Sequence, residues 1–169
     1  MYAINHVPYY DLDKSSTGCC NLINPEDWDE REFTFERKPF VRVSTKSLLH
    51  IPINMNKVMT RAQKAIVDAG VEAEEQLVLS YEVSPWRADH YIAVSHPVQG
   101  MINVPITGKF IAKVFEGPYK EIRNWYNQLQ KYVESLGKEP LKTYFFYTAC
   151  PKCAKAYGKN YVVGFEKVT

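Results

Sequence analysis

Two stretches of this 169-residue chain, 40–94 and 110–165, carry the same succession of signals: strand, amphipathic helix, glycine stop, strand, proline, strand. Shifting the sequence by 67 positions lays Met55, Val58, Met59, Ala62, Ala65, Ile66 and Ala69 on Ile122, Trp125, Tyr126, Leu129, Tyr132, Val133 and Leu136, and Gly70 on Gly137. A module read twice constrains the fold strongly, because two copies commonly pack about a pseudo-twofold axis and leave a cleft at their seam. The expected fold is α+β: duplicated β-α-β-β modules forming an antiparallel, barrel-like sheet with pseudo-twofold symmetry and two helices. The boundaries read as an extended arm over 1–31 and one domain over 32–169, with module one at 32–97 and module two at 104–168.

Local signals fill in this plan. Turn formers and an acidic cluster (Glu26, Asp27, Asp29, Glu30) mark the arm, with Trp28 as its anchor. Phe33 and Phe35 alternate with polar neighbours, as in a half-buried strand. Asn54 is placed to cap the first helix and Gly70 to end it in the left-handed conformation. Gly117-Pro118 reads as the start of the second helix. The strand from Leu77 to Val83 alternates, with Ser80 and Glu82 on one face. Its counterpart from Thr143 is aromatic on both: Phe145 and Tyr147 on one, Tyr144 and Phe146 on the other. Such a strand has both faces covered or lines a cavity.

Composition bears on function in two ways. Aromatic residues make up 14% of the chain, with 12 Tyr, which suits an apolar surface needing polar handles. The net charge is only +2, with basic and acidic residues interleaved, which argues against a nucleic-acid partner. No apolar run reaches membrane-spanning length and the first residues lack a signal pattern, so a soluble, cytoplasmic monomer or homodimer with no membrane partner is expected.

The seam is therefore the expected binding site for a bulky hydrophobic or aromatic small molecule, lined by Tyr81, Glu82, Trp86, Tyr91, Tyr119, Tyr144, Phe146, Tyr147 and Tyr161. The alternative is a hydrolase in the same cleft, with Glu82 or His90 activating water and Tyr81 or Tyr147 donating a proton. Neither Gly-x-Ser-x-Gly nor a glycine-rich phosphate loop occurs. The longer connection of the second module contains Cys150-Pro-Lys-Cys153, half of a zinc knuckle. Cys19 and Cys20, or one of them with His6, His50, His90 or His96, could complete a metal set. A thiol pair and plain unmetallated thiols stay open beside it. A third class follows: an interaction module stabilised by structural zinc. The other two need no cofactor.

The doubled module, the helix opening Phe115-Glu-Gly-Pro-Tyr-Lys-Glu-Ile, Trp125 and the Gly137 stop resemble the GyrI-like (gyrase-inhibitor-like) small-molecule-binding domain over about residues 32–168. Thr17-Gly-Cys-Cys, Ile51-Pro52, Val58-Met59-Thr60 and Cys150-Pro-Lys-Cys-Ala-Lys also resemble a stand-alone bacterial subgroup often loosely labelled hydrolases. The resemblance implies an aromatic cleft for bulky, often cationic or planar compounds. In some relatives it implies hydrolysis of reactive cyclopropane-bearing toxins. Many binding members of the family it resembles place an acid near the start of the last strand. Here Lys159-Asn160-Tyr161 has none, and Glu82 is the alternative acid. No helix-turn-helix signal precedes the domain, so a one-chain transcription regulator is not expected.

Overall fold

The structure is a computed structural model that describes residues 2–11 and 20–169, with Pro151 described by its backbone alone. Among these residues the chain forms nine strands and three α-helices. The strands are β1 (Glu32–Lys38), β2 (Phe40–Leu48), β3 (Ile51–Pro52), β4 (Val78–Ser84), β5 (Arg87–Ala93), β6 (Ile102–Asn103), β7 (Ile106–Glu116), β8 (Lys142–Tyr147) and β9 (Tyr161–Lys167). The helices are α1 (Met55–Ala69), α2 (Ile122–Ser135) and α3 (Pro151–Tyr157).

All strand pairs are antiparallel, in the order β1-β7-β9-β8-β4-β5-β2-β3, with β6 on β2. The α+β class holds. The sheet is open rather than barrel-like, because β1 and β3 end the path without pairing to each other. Each half orders its strands first-third-second (β2, β5, β4 and β7, β9, β8), and the seam is the β4–β8 pair, registered at Ser80 and Phe145.

Both long helices pack on one face of this sheet. Ala62 and Ile66 of α1 meet Val41, Ile92 and Val94. Trp125, Leu129 and Val133 of α2 meet Ile111, Phe115, Phe145 and Val162. These are the apolar stripes that the 3.6-residue period marks in the sequence. Gly70 ends α1 at φ 68°, as its position suggests. Two expected helix starts differ. The Asn54 side chain accepts from the Lys46 N–H at 2.7 Å and does not cap α1. Pro118 is extended (ψ 152°) and leads into a 3₁₀ turn, Tyr119–Glu121, before α2 begins. The expected long loop after Cys150 contains α3, with proline at its start and Gly158 (φ 68°) as its left-handed end.

The other face of the sheet is covered by the arm. Trp28 is 1% exposed and packs on Phe33, Phe146 and Phe165 at ring distances of 5.8, 5.6 and 6.0 Å. Its indole N–H donates to the Tyr10 hydroxyl, which donates in turn to Asp27 Oδ2 at 2.6 Å. Burial, then that bond to Asp27, pushes the Tyr10 phenol up to about 12. Val7 and Ile23 complete the cover. The arm is also pinned by backbone bonds, Asn5 N–H to Thr34 O at 2.9 Å and Ala112 N–H to Arg31 O at 2.8 Å. Both faces of β8 are thus covered, one by the arm and one by α2.

Candidate functional site

The seam residues divide between the two faces of the sheet, because neighbouring positions on a strand point to opposite sides. Tyr81, Tyr91, Tyr144, Phe146 and Tyr161 belong to the arm-side cluster. Tyr144 and Phe146 are 4% and 8% exposed, closed in by Tyr81, Tyr91, Phe110 and Trp28. The space beside Phe146, bounded by Trp28, Ile23 and Thr148, is about 20 Å³, room for one water molecule. Burial pushes the Tyr144 phenol well above its ordinary range. The tyrosines surround a cation of the chain itself. The Lys142 ammonium lies 4.2 Å from the Tyr81 ring centroid, 5.2 Å from Tyr144 and 5.9 Å from Tyr91. The hollow expected on this face is therefore packed by the arm and by Lys142.

On the helix face a string of polar side chains crosses the sheet between the α1 and α2 clusters. His90 is 4% exposed. Its Nδ1 lies 2.7 Å from Ser80 Oγ and its Nε2 lies 2.9 Å from Thr45 Oγ1. With both ring nitrogens engaged, His90 is an internal cross-strand tie and offers no open face to water. Burial pulls its pKa down to about 4, against a smaller opposing pull from Asp89. A prediction follows. The unfolded imidazole takes up a proton near pH 6.5 and the folded one does not until about pH 4. The stabilisation is therefore complete above pH 6.5 and is lost as the pH falls toward 4, by about 3 kcal/mol. Urea unfolding at pH 7 and pH 4 measures this. His90→Gln should show a shallower dependence, and equal slopes for the two proteins would contradict the assignment.

Farther along the same face, His50 Nδ1 lies 2.7 Å from Glu82 Oε2. A carboxylate accepts, so Nδ1 carries the hydrogen, and in the neutral ring Nε2 is then the acceptor. Both side chains are open to solvent, at 57% and 47% exposure. The backbone that presents His50 is unusual. Leu49 and His50 form the two-residue turn between β2 and β3, at φ 50° and 70°. Such a turn favours Asn-Gly, and bulky residues there cost of order 1–3 kcal/mol each. The His50 N–H bonds to Pro85 O at 2.8 Å and holds the turn in place. Around it Leu48, Leu49, Ile51, Ile53, Val83 and Trp86 expose between 41% and 67% of their surface. In the sequence His50 stands out only as one of the four histidines that could complete a metal set.

Tyr147 sits on the same face, packed against the α2 cluster. Its ring meets Tyr119 edge-on at 5.3 Å. Burial, then the charge of Glu82, then Tyr119 push the Tyr147 phenol far above its ordinary range, so it stays protonated and can donate. Tyr119 donates to Ala149 O at 3.4 Å. Its own phenol is raised by burial first and then by Cys150 and Cys20.

Those cysteines form the other chemically distinctive cluster. The sulfurs of Cys20, Cys150 and Cys153 all lie within 4.8 Å of one another, a group that could hold a metal ion. Cys20 and Cys150 are half-buried and Cys153 is 1% exposed. The Cys150 N–H points to Cys20 Sγ at 3.5 Å, and Tyr157 donates to the Cys20 carbonyl. Cys19, the remaining cysteine of the sequence, lies outside the described residues. The other histidines are elsewhere: His6 pairs with Glu75 at 2.6 Å and His96 with Ser95 at 3.1 Å.

An antiparallel α+β sheet carrying a carboxylate–imidazole pair, a buried phenol and a thiol cluster is the frame of a small protein with an equipped surface. The family described as "Bacterial hydrolase" matches residues 10–168, and the chain belongs to that family. Among curated proteins no match is found. Among the described residues no helix is long and apolar enough to cross a membrane.

Proposed function

We propose that this protein is a hydrolase of small hydrophobic compounds, working on the helix face at the turn that presents His50. The observation that carries this reading is the 2.7 Å contact between His50 Nδ1 and Glu82, made by a residue held at positive φ. The family's description points the same way. In this reading Glu82 fixes the tautomer and orientation of the ring, and His50 Nε2 takes the proton from the attacking water. Tyr147 donates toward the oxygen that gains charge. The exposed Leu49, Ile51 and Trp86 receive the apolar body of the substrate. This keeps Tyr147 as the proton donor, gives Glu82 a positioning role in place of the water activation expected of it, and puts the base at His50 instead of Glu82 or His90.

The resemblance to GyrI-like domains supports a shared strand plan. Capture of a compound without turnover is the second reading, and the exposed Trp86 rim favours it equally. Hydrolysis of p-nitrophenyl esters of increasing acyl length separates the two. Turnover is expected, with kcat/KM rising with each added methylene, and Tyr147→Phe should lower kcat about 100-fold at nearly unchanged KM. Recovery of intact ester from a saturable complex would replace hydrolysis by binding.

A further inference from the structure

We infer that Cys20, Cys150 and Cys153 form a thiolate site for a soft divalent ion, zinc(II) above all, and that this ion fastens the N-terminal arm to the β8–β9 connection. The inference is independent of the hydrolase reading.

Three features carry it. The first is geometry. Zinc–sulfur bonds of about 2.3 Å at tetrahedral angles put sulfurs about 3.8 Å apart. The three sulfurs here all lie within 4.8 Å of one another, so closing on an ion needs a shift of about 1 Å or less. The second is how the set is assembled. Cys150 and Cys153 are three residues apart at the start of α3, which brings both side chains to one side of its first turn. Cys20 comes from a segment 130 residues away and is oriented by two contacts, the Cys150 N–H on its sulfur and the Tyr157 hydroxyl on its carbonyl. The third is chemistry. Three sulfurs select zinc and similar soft ions and reject calcium and magnesium, which require oxygen.

The position of the cluster says what the ion would do. Cys20 opens the arm segment that carries Ile23 and Trp28 over the sheet. Cys150 and Cys153 lie just beyond β8, whose Phe146 is the ring under Trp28. Coordination would thus close the arm over the strand it covers, joining distant parts of the chain as a crosslink does.

The test uses the full chain, purified under reducing conditions and analysed for metal, with cobalt(II) as a spectroscopic probe. The expected result is about one equivalent of zinc per chain. Cobalt should give a thiolate charge-transfer band and strong d–d bands of a tetrahedral site. Single variants Cys20→Ser and Cys153→Ser, shown to be folded by circular dichroism, should each fall below roughly 0.1 equivalent and lose the charge-transfer band. Chelation should speed proteolytic cleavage within residues 1–31 of the wild type, reversibly with zinc. Zinc retained in both variants, a metal-free protein that ignores added zinc, or a cleavage rate indifferent to chelator would each overturn the inference. If either serine variant fails to fold, the cobalt spectrum and chelator response of the wild type still decide it.

Discussion

Trp28→Ala is expected to destabilise the fold by about 4 kcal/mol, the range for emptying a buried site of this size. The indole is 1% exposed and touches three phenylalanines, one each on β1, β8 and β9. Among the described ring contacts no other arm residue touches three strands. Truncation leaves a void between the arm and the sheet face, which cannot collapse without moving the pinned arm. It also removes the indole N–H that donates to the Tyr10 hydroxyl at 3.1 Å, leaving that oxygen the Asn24 N–H alone of the two. Trp28→Phe keeps much of the ring area and should cost roughly half as much. Urea titration measures both through the midpoint at constant slope. A loss under about 1 kcal/mol for the alanine variant would mean that the arm rests on the sheet without contributing to its core.

The second large effect is on catalysis. His50→Gln removes the acceptor nitrogen while keeping a side chain that can reach Glu82, so the fold and the turn should survive. Loss of a positioned general base typically costs 10²–10⁴ in rate, so kcat for a p-nitrophenyl ester should fall by about that factor. Glu82→Gln should fall by less. The ring remains, but without the carboxylate on Nδ1 the two tautomers compete and Nε2 is no longer held as the acceptor. Variants on the arm face, such as Tyr81→Phe, should change kcat less than about threefold, since that surface lies across the sheet and surrounds Lys142.

What the sequence discloses about this protein follows from which forces are local. The helix stripes, the left-handed stop at Gly70 and the two-sided aromatic strand at 143–147 depend on period and neighbour chemistry, and each can be read directly. The failures are positions where a distant partner decides. Asn54 looks like a cap, but Lys46 of the facing hairpin takes its side chain. His90 looks like a strand-edge base. Only strand register shows that Ser80 and Thr45 engage both its nitrogens. Tyr144 and Phe146 look like the lining of a cleft until the arm and Lys142 are seen to fill it. His50 gave no warning, because Leu-His is not a sequence that announces a left-handed turn. The thiol set was half legible: Cys150-x-x-Cys153 is a local motif, and its meeting with Cys20 depends on where the arm travels.

The most direct test of the account is one side-by-side measurement: kcat for p-nitrophenyl ester hydrolysis by the wild type, His50→Gln and Tyr81→Phe at pH 7.5. The account predicts a 10²–10⁴-fold loss for the first variant and a change under about threefold for the second. Full activity in His50→Gln together with a large loss in Tyr81→Phe would place the chemistry on the arm face and contradict it.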